Sequence, residues 1–386
     1  MSGKKKIIRT ATVPLSLDLF CRGLLKELSG TYEVIALSSP LPELDSIRKR
    51  EGVRTIAVPI RRRIRPFQDL VSLVRLFFVF RKEKPDMVHS ITPKAGLLSM
   101  MAAWAARVPV RIHTFTGLIF PYEKGWKRWV LFHTDRITAA CATHVIPEGE
   151  GIKEDLLHYK VTRKPLHVLG NGNVRGIDLN HYARTEQTQE KTVQIRREFG
   201  IDEKDFVFVF VGRLDRDKGI DDLVTAFLRL ERQYPGVHLL LVGAEEADGK
   251  PLKESTRQLI REASSHIHLS DGWQDDVRPW YAAADALVHP SHREGFPNVV
   301  IEAGAMDLSS IVTDVNGSRE IVQQGRNGII VPADDPDALY KAMESFVVRP
   351  EWVHEMSKNA RNIIADRYEQ RYVRDCLLDY YKEVLA

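Results

Sequence analysis

The stretch Phe206-Val-Phe-Val-Phe-Val-Gly-Arg-Leu-Asp-Arg-Asp-Lys-Gly219 decides the architecture. Its six leading apolar residues are all strong β-formers, as suits a strand covered on both faces in a parallel sheet. The run stops at Gly212, continues as a short charged loop and closes at Gly219. Apolar positions then recur at helical spacing over 220–233. Strand, glycine-bounded loop and helix form the repeating unit of an open α/β sheet, whose ligands lie beyond the carboxyl ends of the strands. Arg213 and Lys218 therefore occupy a ligand-binding edge. Arginine offers a planar fork for phosphate oxygens, and lysine a compact charge on a flexible stem. The plain alternative is a solvated charged turn, since Asp215, Arg216 and Asp217 share the loop.

Further along, Ser291-His-Arg-Glu-Gly-Phe-Pro-Asn-Val-Val-Ile-Glu302 places Glu294 and Glu302 across a turn that opens a helix. Gly295 permits an unusual backbone and Pro297 suits a first helical turn. The helix from Asn298 would aim its unpaired N–H groups at an anion in front of it. Carboxylates suit sugar and ribose hydroxyls, and the two cations suit a diphosphate, so the pieces fit a nucleotide-sugar.

The same alternation extends in both directions. Strands are expected at 6–13, 32–37, 55–58, 86–90, 110–114, 142–146 and 166–169, with helices at 17–28, 68–81, 95–106 and 124–133 among them. After a polar stretch at 184–192, strands at 206–211, 238–242, 267–269, 286–289 and 310–313 alternate with helices at 220–233, 253–264, 277–284 and 299–306. The fold class expected is α/β: two Rossmann-like, doubly wound domains, residues 1–175 and 176–367, facing across a cleft. A last helix, 368–386, would pack back on the first domain. Glycine and asparagine clustered near 171–182 mark the linker.

A length of 386 residues suits two domains, and 44% apolar with 28% charged residues excludes a disordered chain. Three scattered cysteines, Cys21, Cys141 and Cys376, argue against a disulfide framework and for a reducing compartment. Arg9, Pro14 and Asp18 interrupt any signal-peptide core, and the apolar run 70–80 contains Arg75, so a cytoplasmic protein is expected. Charge is uneven: residues 1–175 carry 30 Lys and Arg against 15 Asp and Glu, or +15, whereas 176–386 carry 26 against 37, or −11. A basic first half points to a polyanionic or membrane-surface partner, here an anionic membrane rather than nucleic acid. Arg61-Arg-Arg-Ile-Arg65 leads into the helix at 68–81, which would insert Leu73, Phe77 and Phe80 among Arg75, Arg81 and Lys82.

Gly170-Asn-Gly-Asn-Val-Arg-Gly176 has the wrong last spacing for a dinucleotide fingerprint and does not open a domain. Thirteen histidines form no H-x-x-x-H or H-E-x-x-H pair. No metal and no other cofactor is expected, because fixed cations and a helix N-terminus can carry a departing diphosphate.

Taken together, the two motifs resemble the signature of glycosyltransferase family 4, retaining enzymes of GT-B fold with nucleotide-sugar donors. The resemblance runs on through Asp271-Gly-Trp-Gln-Asp-Asp276, Tyr281 to Ser291, Thr313 to Glu320 and Asn327 to Pro332. It implies that Arg213 and Lys218, beside Gly212, hold the donor diphosphate and that Glu294 contacts the donor sugar. Gly295, Phe296, Pro297 and Asn298 would supply backbone donors, Glu302 would bind ribose, and the loop with Asp271 and Trp273 would meet the base. In the first domain, Pro85 to Leu97, Arg111 to Gly117 and Val168 to Gly172 resemble the bacterial branch that builds capsule, O-antigen and exopolysaccharide. There His89, Thr92, Lys94 and Thr116 would serve the acceptor side. Two departures stand out: Thr116-Gly117 replaces a frequent His-Gly pair, and Pro14-Leu-Ser-Leu-Asp18 replaces a glycine pair. The implied reaction is metal-independent, retaining transfer of a hexose or N-acetylhexosamine unit from a nucleotide diphosphate, UDP by preference, to a polyprenyl-diphosphate-linked saccharide. The alternatives are a nucleotide-sugar epimerase of the same fold and a non-catalytic polyanion-binding scaffold.

Overall fold

The computed structural model describes residues 3–246 and 249–386. The chain divides into two units, Met1–Gly176 with Arg371–Ala386, and Ile177–Gln370.

In the first unit, β1 (Lys6–Thr10), α1 (Pro14–Cys21), α2 (Leu24–Thr31), β2 (Glu33–Ser38), α3 (Glu43–Glu51) and β3 (Arg54–Ala57) come first. They are followed by α4 (Pro66–Glu83), β4 (Met87–Ser90), α5 (Pro93–Ala105), β5 (Val110–Phe115), α6 (Gly125–Cys141), β6 (His144–Pro147) and α7 (Glu150–His158). All six strands are parallel in the order β3-β2-β1-β4-β5-β6. Residues of a strand alternate faces, so Ile8, Ile35 and Val88 join a core with Leu76, Phe80 and Leu98 of α4 and α5. Their neighbours Ile7, Val34 and Met87 join another with Leu17, Leu25 and Ile47 of α1 to α3.

In the second unit, α8 (Glu186–Glu198), β7 (Phe206–Val211), α9 (Ile220–Glu231), β8 (Val237–Val242), α10 (Glu254–Glu262), β9 (Ile267–Leu269) and α11 (Arg278–Ala282) come first. Then follow β10 (Ala286–His289), α12 (Asn298–Ala305), β11 (Ser309–Thr313), α13 (Ser318–Ile321), β12 (Gly328–Val331), α14 (Pro336–Val347) and α15 (Pro350–Tyr368). The sheet order is β12-β11-β10-β7-β8-β9, again all parallel. Counted within each unit the two orders are one and the same, 3-2-1-4-5-6, the doubly wound plan of dinucleotide-type domains. The order reverses between β1 and β4 in one sheet and between β7 and β10 in the other. The last helix, α16 (Gln370–Leu385), sets Leu377, Tyr381 and Leu385 into the first unit's core beside Ile7 and Leu17.

Several expectations are corrected. The helix expected at 17–28 is two, α1 and α2, because the chain turns at Gly23 with φ of +75°. The strand expected at 166–169 reduces to one bridge from Val145 to Leu166; Pro165 withholds a ladder donor just before it. The polar stretch at 184–192, to which no helix was assigned, contains the start of α8, where the Thr185 hydroxyl accepts from the Thr188 amide. The face of α4 is reversed from the reading above. Phe80 is 1% exposed, and Leu73 and Phe77 pack on the core, so none of the three points outward. The exposed stripe is Phe67, Leu70, Val71, Val74 and Phe78, at helical spacing on the other side. Trp126 and Trp129 of α6 and Trp104 of α5 are exposed as well. Among the described residues no helix is long and apolar enough to cross a membrane.

Candidate active site

In the second sheet the loops that follow β7 and β10 flank the point where strand order reverses, the place where open α/β sheets bind ligands. The β7 loop leaves the sheet at Gly212, whose amide bonds the Val242 carbonyl at 2.9 Å. Asp215 accepts from the Lys218 amide at 3.0 Å and so caps a single turn, Arg216–Lys218. At Gly219 φ is +71°, and a Cβ would lie 2.0 Å from the Pro290 carbonyl oxygen. Only glycine lets the two loops touch there. The β10 loop answers from its side: the His292 amide donates to the Asp217 carbonyl at 2.9 Å, and Ser291 Oγ lies 3.2 Å from the same oxygen. The Asp217 carboxylate also takes Arg293 Nη2 at 2.7 Å and Lys250 Nζ at 2.7 Å. Burial raises its pKa, but these two cations outweigh burial and hold it below the usual range. The sequence reading treated Asp217 as a turn charge; it is the clasp between the loops.

Glu294 stands where the loops meet. Its Oε1 accepts from Lys218 Nζ at 2.5 Å and faces His289 Nε2 at 2.8 Å. The side chain is 11% exposed. Burial alone would raise the carboxyl's pKa, but the Lys218 charge and the His289 hydrogen bond hold it well below the ordinary value. Arg213 is a third exposed; its Nη1 lies 2.9 Å from Asp215 Oδ2 and 3.9 Å from Glu246 Oε2. Glu302, one turn into α12, is buried and accepts from the Tyr281 hydroxyl at 3.2 Å. Between the glutamates, Phe296 is buried edge-on to Tyr368 and Pro297 caps the helix that starts at Asn298. Asp271 and Trp273 lie in the loop after β9, both exposed, with the Gln274 amide closing back on the Asp271 carbonyl at 2.9 Å. The structure thus brings Arg213, Lys218 and Glu294 onto two touching loops. It adds His289, which lies inside the 281–291 segment and has no role in the sequence analysis. A histidine ending a strand five positions before Glu294 was the available signal.

The reversal point of the first sheet holds hydroxyls. Thr92 has φ of +101°, a strained conformation for a β-branched residue. Its Oγ1 accepts from the Thr12 amide at 3.0 Å and lies 2.8 Å from Thr12 Oγ1. Thr116 follows β5, half-buried, beside Gly117. Lys94 is spent on its own unit, bonding the Arg63 carbonyl at 2.7 Å and Asp69 at 2.6 Å. His89, expected on the acceptor side, is buried within its own unit. It is 1% exposed, bonded to Tyr381 OH at 2.5 Å and Thr114 Oγ1 at 2.8 Å, and in contact with Arg9. Burial, then Arg9 and His113, keep it neutral. It is a strand-end histidine whose hydrogen bonds are satisfied within its own unit.

One group of metal-ligating type occurs among the described residues. His292 Nε2 lies 2.7 Å from Asp222 Oδ2, and its Nδ1 lies 3.2 Å from Asp334 Oδ1. The hydrogen bond to Asp222 raises the pKa of His292 against partial burial, and the ring lies between two carboxylates. The three residues are too far apart in sequence for a spacing motif to have found them.

Comparison with known proteins assigns the family. Residues 192–363 match the family model of glycosyl transferases group 1, and residues 20–172 match that of the glycosyl transferase 4-like domain. The capsular polysaccharide biosynthesis glycosyltransferase CapM of Staphylococcus aureus is 30% identical over 99% of this chain and 98% of its own. The UDP-Gal:alpha-D-GlcNAc-diphosphoundecaprenol alpha-1,3-galactosyltransferase of Escherichia coli is 28% identical over 87% of this chain and 85% of its own. Anabaena HepE, solved in complex with UDP, shares the fold with a TM-score of 0.80 over 99% of this chain and 100% of its own, at 16% identity. The chain therefore belongs to glycosyltransferase family 4 and is a GT-B glycosyltransferase of the bacterial branch that builds capsule, O-antigen and exopolysaccharide.

Proposed function

We propose that the protein transfers a hexose or N-acetylhexosamine unit, with retention and without a metal, from a UDP-sugar to a polyprenyl-diphosphate-linked saccharide. The carrying observation is the buried Glu294 carboxylate bonded to Lys218 at the reversal point of the second sheet, with Arg213 on the same loop as Lys218. Support for the donor and acceptor comes from the Escherichia coli relative, whose name specifies UDP-galactose and a diphosphoundecaprenol acceptor, and from the UDP bound to Anabaena HepE. In this reading Lys218 and Arg213 take up negative charge as the diphosphate leaves, preorganised at the site of charge development. Glu302 binds ribose, the loop with Asp271 and Trp273 meets the base, and the first turn of α12 offers amides to phosphate. Glu294 holds sugar hydroxyls through Oε2, which makes no hydrogen bond among the described residues. The acceptor hydroxyl attacks from the face the diphosphate leaves, and a departing phosphate oxygen takes its proton. The first unit supplies the acceptor side through Thr92 and Thr116, and works from the cytoplasmic face of an anionic membrane.

A panel of UDP-, GDP- and ADP-sugars tests this, with release of the nucleoside diphosphate measured alongside the anomeric configuration of the product. Turnover with UDP-sugars, an unchanged anomeric configuration and full activity in excess EDTA are expected. Inversion would remove the proposed course of attack. Activity lost to EDTA and restored by Mg²⁺ or Mn²⁺ would show that a metal is needed.

A further inference from the structure

We infer that His289 is a positioning residue, which keeps the Glu294 carboxylate ionised and aimed while Lys218 moves its charge to the donor diphosphate. The inference rests on the reading of Glu294 as the sugar-binding carboxylate.

His289 ends β10 and is 1% exposed. Its ring lies parallel to Phe210 of β7, with 5.9 Å between centroids and 9° between planes, so its orientation is set by the sheet. Nε2 is 2.8 Å from Glu294 Oε1, and Nδ1 is buried with no hydrogen-bond partner among the described residues. These two facts select the protonation state. A proton on Nδ1 would be a buried donor without an acceptor, and would turn the Nε2 lone pair toward a carboxylate. An imidazolium would orphan the same Nδ1 donor and place a second cation beside Lys218. Only the neutral ring with its proton on Nε2 satisfies the site, and burial favours the neutral ring too. The charged groups facing the ring are Glu294 and Lys218; from β7 the ring of Phe210 packs against it.

Two donors on one oxygen look redundant until their stems are compared. Lysine is a point charge on four rotatable carbons. It can swing from Glu294 to a phosphate when the donor arrives. His289 is held by the sheet and cannot follow. Once Lys218 has turned away, the His289 N–H still pins Oε1, and Oε2 stays presented to the sugar.

The test uses the full chain with two substitutions. His289→Phe keeps a ring without the donor, and His289→Gln keeps an N–H near the place of Nε2. UDP is the binding probe, and the UDP-sugar turned over by the unsubstituted chain is the kinetic one. UDP affinity should stay within about twofold in both variants. In His289→Phe kcat should fall about tenfold or more, the scale of a lost hydrogen bond to a charged group. KM should hold, and the acid limb of the kcat–pH profile should move upward. His289→Gln should recover to within about threefold. Among the neutral rings that imidazole nitrogen spectra of the unsubstituted chain show, the one lost in His289→Gln should be protonated on Nε2 and non-titrating from about pH 5.5 to about pH 8, where ordinary histidines ionise. His289→Gln assigns that ring and, with the spectra, decides the matter if His289→Phe fails to fold. Titration of the ring, a proton on Nδ1, unchanged kcat in His289→Phe, or His289→Gln as impaired as His289→Phe would each overturn the proposal. Glu294→Gln separates the two failures. If it is inactive while His289→Phe is normal, only the positioning role falls; if it is fully active, the reading of Glu294 falls and takes this role with it.

Discussion

Lys218 and Arg213 are cations of one short loop held in different ways, and the difference predicts different losses. Lys218 is 19% exposed and bonded to the buried Glu294, whereas Arg213 is a third exposed and paired with the buried Asp215, which also accepts from the Lys218 amide. Lys218→Ala leaves Glu294 buried with no counter-charge, so it should lower stability by about 3 kcal/mol besides abolishing most turnover. Arg213→Ala lets water in beside Asp215, which keeps its bond from the Lys218 amide, so it should lose less stability than Lys218→Ala yet about a hundredfold in turnover, the scale of one preorganised charge at a developing anion. Melting curves and kcat for both variants check the contrast, and equal melting losses would contradict it. Arg213, Lys218, Glu294 and Glu302 were legible in the sequence because glycines and a strand-to-helix change mark their loops. His289 and Asp217 were not. Asp217 meets Arg293 from a loop 76 residues away, a proximity no local pattern carries, and although His289 stands five positions before its partner Glu294, nothing in the sequence turns the ring toward that carboxylate.

At the scale of elements, strands buried on both faces were readable as apolar runs, and β7, β9 and β10 fall at the expected residues. Helices with little apolar signal were not. The sequence of α8, EQTQEKTVQIRRE, buries only Thr188 completely, so its periodicity is faint even though Thr185 caps it. The opposite difficulty arises in α4, which is apolar nearly all round. A helix with two apolar stripes does not say which one meets the core, and the sequence reading chose the wrong one. The observed packing predicts that Phe80→Ala will cost about 3–5 kcal/mol, as a large buried side chain does. Phe78→Ala, at a position 63% exposed, should stay within about 0.5 kcal/mol. Denaturant midpoints of the two variants decide which stripe is inside, and a reversed order would return the outward face to Phe80.

For the molecule as a whole, the informative quantity is the +15 balance of residues 1–175 against −11 for the remainder. An exposed apolar stripe alone fits a membrane, a second copy or another protein equally well. Charge separates these readings. The stripe of Phe67, Leu70, Val74 and Phe78 adjoins exposed Arg61, Arg62, Arg63 and Arg65 and shares its helix with exposed Arg75, Arg81 and Lys82. Two copies of so basic a face would repel, whereas an anionic leaflet gains about 1 kcal/mol per Lys or Arg held near it. Exposed Trp126 and Trp129 on α6 are the residue type that settles at headgroup depth. The full chain should therefore bind vesicles rich in anionic lipid at low salt and ignore zwitterionic ones. Binding should weaken as ionic strength passes about 0.1 M, where the screening length falls to about 10 Å. Changing Arg61, Arg62 and Arg63 to Glu should remove most of it. Phe67→Ser with Phe78→Ser should reduce it at every salt concentration without moving the melting temperature, because insertion is not screened. Co-sedimentation measures all four. If anionic vesicles do not bind at low salt, or if the serine pair instead dissolves a dimer seen by sedimentation, the face belongs to another partner and the acceptor need not be membrane-bound.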